Sequence, residues 1–183
     1  ATVPREGIGG LHGRALASGD DIACATVTAR RLLYLAPALQ PRYHNTLTVR
    51  VIPAANRKIF SRQDKRRFFS SPYTVGERSD RMGYRLEGAI INSVQNNLLS
   101  EGICYGAIQI PGDGQPIVLL NDRQTIGGYP KIGSALSLDA ARLSQLVPGS
   151  SVHFAPITVR TAHRALDLAQ RFLMQRPLLE RQV

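Results

Sequence analysis

The sequence predicts a mainly β domain, and a barrel with a few short helices fits it best. Residues 46–52 (TLTVRVI) alternate polar and apolar side chains, which is the pattern of a strand with one buried face. Short apolar runs such as residues 117–120 (IVLL) are separated by turns rich in glycine and proline. A chain of 183 residues has room for one domain, or for one domain and part of another.

The predicted strands follow one another along most of the chain. After the 46–52 strand, we expect strands at residues 84–91, 106–110, 117–120, 131–136 and 151–155. The earlier segment, 23–45, is mixed, and Pro37 and Pro41 indicate a linker or an edge there. This run of short strands is the main reason to expect a barrel.

Two short helices are predicted between the strands. The first begins near Ser61, because Ser61 and Asp64 have the spacing of a capping box. It places Phe60 and Phe68 on one face and the basic residues on the other. The second covers residues 139–146 and ends before a Pro-Gly turn.

The C-terminal helix has the clearest pattern. Thr158 can cap its start, and Pro177 lies just beyond its end. Apolar residues at spacings of three and four form one stripe, which comprises Val159, Ala162, Leu166, Ala169 and Leu173. We expect this amphipathic helix to pack across the sheet with its arginines facing water.

Net charge and composition limit the partners. The formal net charge of +10 favours an anion such as nucleic acid, phosphate or a carboxylate. No nucleic-acid-binding motif is present, so we expect no nucleic acid partner. No apolar run is long enough to span a bilayer, and we expect no membrane partner.

The chain has two cysteines, which is too few for a disulfide framework and fits a reducing cytoplasm. The basic cluster, interpreted as a solvated helix face, comprises Arg57, Lys58, Arg62, Lys65, Arg66 and Arg67.

Polar residues around the 117–120 run are the best candidates for a site. No phosphate-binding P-loop, serine nucleophile elbow or metal-ligand spacing of histidines is present, so we predict no metal site. Alternation along a strand places Arg81 and Arg85 on one face, either in a network with carboxylates or as a clamp for an anion. We predict that this strand and the turns 109–116 and 121–131 form one anion-binding pocket.

Three segments resemble the signatures of the biotin-dependent carboxyltransferase family, also called allophanate hydrolase subunit 2. They are residues 79–88 (SDRMGYRLEG), 109–119 (QIPGDGQPIVL) and 122–132 (DRQTIGGYPKI). Residues 7–14 (GIGGLHGR) extend the resemblance to nearly the whole chain. The family includes the C subunit of 5-oxoprolinase, the KipI antagonists and the carboxyltransferase part of urea carboxylase.

The resemblance implies a cyclophilin-like β-barrel. Family members carry a further N-terminal half, so this chain resembles the C-terminal part of the family. We therefore expect residues 1–45 to be a remnant of the N-terminal lobe and a linker. Residues 46–157 would form the barrel, and residues 158–183 the C-terminal helix and tail.

The resemblance also implies a function. The chain would be the C subunit of an ATP-dependent 5-oxoprolinase, a hydrolase that opens 5-oxo-L-proline to L-glutamate, and it would be inactive alone. Its partners would be a KipI-like B subunit and a LamB-like A subunit, and ATP with Mg²⁺ would be its cosubstrate. Phosphorylation of the lactam oxygen gives a leaving group that water can displace, which requires cationic donors and oriented polar groups.

Residue chemistry selects the site residues within these motifs. We predict catalytic roles for Arg81, Lys131 and Asp122, the last positioning water or a metal-bound phosphate. The residues predicted to bind substrate are Arg85, Gln109, Gln115, Gln124 and Tyr129.

Two alternatives stay open. In urea carboxylase-like systems, the same domain moves a carboxyl group from carboxybiotin to a urea-type amide, with biotin as cofactor. A KipI-antagonist protein would instead act without catalysis, by binding its partner.

Overall fold

The computed structural model describes residues 2–3, 6–25, 31–55, 59–94 and 99–182. Its strands are β1 (Thr2–Val3), β2 (Ile8–Gly9), β3 (Arg31–Leu35), β4 (Thr46–Pro53), β5 (Tyr73–Val75), β6 (Gly83–Gly88), β7 (Glu101–Gly102), β8 (Ala107–Gln109), β9 (Ile117–Leu119), β10 (Ile126–Gly127), β11 (Lys131–Ala135), β12 (Ser151–Pro156) and β13 (Leu178–Gln182). Its helices are α1 (Arg62–Ser70), α2 (Ser137–Leu143) and α3 (Val159–Met174), with a short 3₁₀ turn at Pro37–Leu39. None of the helices in these ranges is long and apolar enough to cross a membrane.

The chain divides into two compact units. One contains Ala1–Ala36 with Pro177–Val183, and the other contains Pro37–Arg176. In the first unit, β1 pairs with β2, and β3 pairs with β13, both antiparallel. No local pattern predicts a strand in the C-terminal tail, because the partner of β13 lies far away in the sequence.

The larger unit contains the predicted barrel. Seven strands close in the order β11–β4–β12–β5–β6–β9–β8, and β8 pairs again with β11. All neighbours are antiparallel except β4 and β12, which run parallel from Ser151 beside Thr46 to Pro156 beside Val51. The prediction of a mainly β barrel is confirmed. Each predicted strand lies within a few residues of an observed one.

Alternate strand positions fill the barrel with apolar side chains. Val49 and Val51 of β4 are fully buried, as are Ile108 of β8 and Val118 of β9. These inward positions follow the two-residue period of a pleated strand. The alternation seen in residues 46–52 therefore corresponds to a real inside and outside.

Helix α1 is capped as predicted and closes one part of this core. The Ser61 hydroxyl accepts a hydrogen bond from the Asp64 backbone N–H at 3.0 Å. The Asp64 carboxylate in turn accepts from the backbone N–H of Asn92 at 3.1 Å, which ties the helix to a distant loop. Arg57 and Lys58 of the predicted basic cluster lie outside the described residues.

Helix α3 corrects one expectation. It begins after Thr158, whose hydroxyl accepts from the backbone N–H of Thr161, so the predicted cap is confirmed. Ala162 in the first turn is the one buried residue of this helix, all of which the structure describes. Leu173 in the last turn is 70% exposed, so the predicted stripe does not pack across the sheet. The amphipathic pattern therefore predicted the helix correctly but not the packing of its apolar stripe.

Tyr73 gives a prediction for alkaline pH. Its hydroxyl is buried and has no hydrogen-bond partner among the described residues. Burial raises the pKa of Tyr73 to about 12, and the charge of Arg67 opposes this shift. The stability that comes from the neutral phenol is therefore present below the unfolded pKa of about 10 and is lost as pH rises towards 12.

We expect Tyr73→Phe to leave stability at pH 7 unchanged or to raise it by up to about 1 kcal/mol, because no buried hydrogen bond is lost. The variant should also lose less stability between pH 10 and pH 12 than the original chain. Urea unfolding at pH 7 and at pH 11 measures both effects. A loss above about 1 kcal/mol at pH 7 would show that the hydroxyl has a partner.

Candidate functional site

A turn before β6 and a turn after β9 hold Arg81 and Asp122 together. Asp80 Oδ1 accepts from the backbone N–H groups of Met82 at 2.8 Å and Gly83 at 3.1 Å, which fixes the turn into β6. The Asp122 N–H donates to the Arg81 carbonyl at 3.1 Å. The Arg81 Nε atom lies 3.0 Å from Asp122 Oδ2, and Nη2 donates to Oδ1 at 3.2 Å. Two predicted catalytic residues thus form a two-point ion pair on the surface.

A cavity of about 480 Å³ opens beside this pair. It lies where β6 begins, β9 ends and α2 has just ended. Its lining combines two phenols, two carboxamides, two charged groups and two other side chains: Tyr84, Tyr105, Asn121, Gln145, Asp80, Arg81, Leu120 and Ser144.

Two half-buried tyrosines form part of the cavity wall. The Tyr84 hydroxyl lies 3.0 Å from the Ser144 carbonyl and 3.1 Å from the Leu146 carbonyl, which fastens β6 to the end of α2. Burial raises the pKa of Tyr84. Burial also raises the pKa of Tyr105, while the nearby Arg123 guanidinium opposes that shift. Both phenols therefore stay neutral at ordinary pH.

Gln109, Gln124 and Lys131 form a second group of predicted residues. Lys131 is paired in register with Gln109, and its Nζ lies 3.2 Å from Glu101 Oε1. Gln109 is only 3% exposed. A Cβ atom on Gly127 would lie 2.5 Å from Ile103 Cδ1 and 3.1 Å from Gln109 Nε2. Glycine at that position therefore lets β10 lie close to the Ile103 side chain and the Gln109 amide.

The other predicted substrate-binding residues have different surroundings. The Gln115 side chain accepts from the Gly88 N–H at 2.8 Å and donates to the Gly88 carbonyl at 3.2 Å, so it joins the start of β9 to the end of β6. Arg85 lies on β6 beside a shallow groove and is exposed. Tyr129 is also exposed, in the loop before β11.

The strand register corrects the prediction of one shared pocket. Gly83 pairs with Leu119 and Arg85 pairs with Ile117, so Arg81 lies beyond one end of the β6–β9 pair. Ile117 also pairs with Gln109, and Gln109 with Lys131, so these two members of the second group lie at the opposite end of the same wall from Arg81. Gln124 is only two residues from Asp122, so the separation applies to Gln109 and Lys131 alone. The sequence segments were adjacent in motif order, but antiparallel pairing sent their ends in opposite directions.

Of the eight residues that line the cavity, only Arg81 is among the predicted site residues. Tyr84 and Tyr105 carried no signal beyond being aromatic, and Ser144 and Gln145 lie in a segment expected only to end a helix. The end of α2 reaches the cavity through tertiary packing, which no local pattern reports. No group of three or more His, Cys, Asp or Glu side chains that could hold a metal ion occurs within the described ranges.

Comparison with known proteins identifies the class of protein to which this barrel and its motifs belong. The family model for the carboxyltransferase domain, subdomain A and B, matches residues 1–156. The chain therefore belongs to this carboxyltransferase-domain family, as the resemblance of its three motifs indicated.

Two proteins of related sequence and one solved structure are similar to this chain. The 5-oxoprolinase C subunit of Escherichia coli is 36% identical over 176 residues, which are 96% of this chain and 56% of that protein. A putative urea carboxylase of Emericella nidulans is 24% identical over 186 residues, covering 94% of this chain and 15% of that protein. The crystal structure of the K. lactis urea amidolyase superposes with a TM-score of 0.69 at 20% identity, covering 75% of this chain and 9% of that one. That last likeness shows the fold alone.

Proposed function

We propose that this chain is the C subunit of an ATP-dependent 5-oxoprolinase, working with a KipI-like and a LamB-like protein. The observation that carries the proposal is the 36% identity to a protein of that name across 96% of the chain. The chain spans only about half of that relative's length (56%), so the activity of the whole assembly belongs to the proposal as well.

The reaction needs groups that recognise a small carboxylated lactam. In the proposed reaction, the lactam oxygen attacks the γ-phosphorus of ATP and ADP leaves. Water then adds to the activated carbon, and the C–N bond breaks as the ring nitrogen takes a proton, which opens the ring to an acyl phosphate. A second water hydrolyses the acyl phosphate to glutamate and phosphate. Carboxamides both donate and accept hydrogen bonds, so Gln109 and Gln124 suit the lactam N–H and C=O. Lys131 supplies positive charge for the carboxylate or the transferring phosphoryl group.

The state of Gln109 supports this assignment. Gln109 is nearly fully buried and lies in register with Lys131. Its carboxamide can both donate to and accept from an amide substrate that reaches this position. Arg81 and Asp122, at the other end of the wall, are assigned to the phosphate groups.

The test is ADP release that depends on 5-oxoproline after the three proteins are mixed. We expect Lys131→Ala and Arg81→Ala each to lower kcat about a hundredfold, because each removes a positive charge from the developing negative charge. Arg171→Ala is the matched control. The Arg171 side chain pairs with Asp167 on the exposed face of α3, and its removal should leave the rate unchanged.

The possible outcomes distinguish an error in the proposed function from an error in the residue assignment. If no mixture of the original proteins releases ADP in response to 5-oxoproline, the proposed function is wrong. If the original complex is active and both variants keep full rates in a folded complex, the residue assignment alone is wrong.

The urea carboxylase relative supports a second candidate function. It matches 94% of this chain, so transfer of a carboxyl group from carboxybiotin to a urea-type amide is the alternative reaction. Assay of the same complex with carboxylated biotin and urea distinguishes the two, because only this reaction consumes the biotin carboxylate without 5-oxoproline.

A further inference from the structure

We infer that Glu101 occupies the place of the ligand's carboxylate at Lys131, and that a carboxylated ligand binds by displacing it. Glu101 thus selects for ligands that carry a carboxylate. The inference rests on the proposed function in that 5-oxoproline is the expected ligand and Lys131 its cationic partner. It goes further by assigning a role to Glu101, which lies outside the three family motifs.

Glu101 lies on the ribbon formed by β7 and β10, and the register fixes the face that carries its side chain. Glu101 is opposite Gly127, and Gly102 is opposite Ile126. Residues directly opposite each other in an antiparallel pair share one face, and their neighbours in the chain lie on the other face. Glu101 and Gly127 therefore share one face of the ribbon, and Gly102 and Ile126 share the other.

The Glu101 face of the ribbon lies against the barrel, and the other face lies in solvent. A Cβ atom on Gly127 would lie 3.1 Å from Gln109 Nε2. A Cβ atom on Gly102 would meet no heavy atom of the described residues within 4 Å, apart from its own chain neighbours, and Ile126 is 64% exposed. The ribbon therefore covers Gln109 with the face that carries Glu101.

Lys131 meets Glu101 from the barrel side. Lys131 is in register with Gln109, so their side chains lie on the same face of two adjacent strands. The Lys131 Nζ atom lies 3.2 Å from Glu101 Oε1, and the two side chains are 26% and 53% exposed. Lys131 therefore already holds a carboxylate on the strand next to the Gln109 carboxamide, and this carboxylate belongs to the chain itself.

The arrangement has the chemistry that a carboxylated lactam requires. An ammonium group pairs with a carboxylate, and a carboxamide both donates to and accepts from an amide. Partly exposed ion pairs contribute little to stability, so a ligand carboxylate can replace that of Glu101. A neutral lactam has no group that competes with Glu101 for the Lys131 ammonium.

The ribbon allows Glu101 to withdraw while the barrel stays folded. β7 and β10 contain two residues each, and a two-stranded ribbon of this size has little stability of its own. Its base is anchored, because Ile103 is buried and its backbone N–H donates to the Thr125 carbonyl at 2.9 Å. The Arg123 guanidinium also donates to the Ile103 carbonyl at 3.2 Å. The Glu101 side chain, half-exposed beyond this anchor, can turn towards solvent when a ligand arrives.

Substitution of Glu101, in this chain and in the assembled complex, tests the inference. We expect Glu101→Gln to lower both the Kd and the KM for 5-oxoproline about fivefold, the upper end of what an exposed ion pair contributes. The value of kcat should change by less than about twofold, because the competitor acts on binding alone. NMR titration with 2-pyrrolidinone, the same lactam without its carboxylate, should give Kd values for the variant and the original chain within about twofold of each other.

Two further variants separate carboxylate exchange from other effects of the substitution. Glu180→Gln is the matched control, because Glu180 also forms an exposed pair, 3.5 Å from Arg31 on β3. It should bind both ligands like the original chain. Lys131→Ala removes the group for which the two carboxylates compete. Adding Glu101→Gln to Lys131→Ala should therefore bring no gain in 5-oxoproline affinity.

Three results would overturn the inference. Unchanged or weaker 5-oxoproline binding by Glu101→Gln would show that Glu101 does not compete with the ligand. Equal tightening of 2-pyrrolidinone would show that the substitution only loosens the ribbon. A loss of kcat with an unchanged KM would place Glu101 in the chemical step instead.

The same measurements distinguish this inference from the proposed function. If 5-oxoproline affinity responds to Glu101→Gln as expected but no ADP is released, the proposed reaction is wrong and the role of Glu101 stands. If the complex is active and Glu101→Gln changes neither constant, the role of Glu101 alone is wrong. If no form of the chain or complex binds 5-oxoproline, both are wrong.

Discussion

Phe68→Ala is expected to lower the free energy of unfolding by about 3–5 kcal/mol, the range typical of a fully buried aromatic side chain. Phe68 is fully buried on α1, and its ring stacks on Phe154 of β12 with centroids 4.3 Å apart. It also contacts Phe69 edge-on at 4.9 Å and Tyr73 at 6.0 Å. Truncation leaves a cavity in the middle of this aromatic cluster, which rigid strands cannot collapse to fill.

Urea unfolding measures the Phe68 effect directly. Phe172→Ala is the matched control, because Phe172 is 52% exposed on α3 and contacts the Arg176 guanidinium at 4.1 Å. Its loss should cost less than about 1 kcal/mol. Equal effects of the two substitutions would show that α1 does not close the core as described.

Asp139→Ala is expected to lower the free energy of unfolding by about 2–3 kcal/mol. The Asp139 carboxylate on α2 is buried and accepts from the Arg50 backbone N–H at 2.8 Å, from Nε at 2.7 Å and from Nη2 at 2.7 Å. It raises the pKa of Arg50, mainly through the side-chain hydrogen bonds. Breaking a buried pair by removal of one partner costs about 3–5 kcal/mol, and the partial exposure of Arg50 lowers this figure.

Asp167→Ala provides the comparison for Asp139. Asp167 pairs with Arg171 four residues along α3, and both side chains are largely exposed. We therefore expect Asp167→Ala to lower the free energy of unfolding by about 0.5 kcal/mol or less. Urea unfolding at low and high salt distinguishes the cases, because screening weakens the exposed pair and spares the buried one. Comparable losses for both variants would contradict the anchoring role of Asp139.

Local patterns predicted most of the barrel. The alternation in β4, the capping box of α1 and the apolar stripe of α3 all correspond to observed elements, because each depends on neighbours within a few residues. Pairing between distant segments carried no such signal. The β3–β13 ribbon and the Arg50–Asp139 pair, which joins β4 to α2, are examples.

In the candidate site too, local sequence predicted some features and the pairing of distant segments determined the others. The three motifs identified the family and contained Arg81, Asp122 and Lys131. The sequence could not show that the antiparallel register separates Arg81 from Lys131. It also could not show that the Gln115 side chain is hydrogen-bonded to the backbone of Gly88. The tyrosine-lined cavity depends on the end of α2 meeting β6, which only the assembled fold provides.

The parallel pair of β4 and β12 has a consequence for synthesis on the ribosome. β12 inserts between β4 and β5, so neither of these strands has its full set of neighbours until β12 emerges. The other barrel strands are synthesised before β12, so the edges of β4 and β5 that pair with β12 keep unpaired backbone N–H and C=O groups until then. Nascent chains stalled before residue 151 should therefore be the species that chaperones capture, and release of the C-terminal segment should trigger closure.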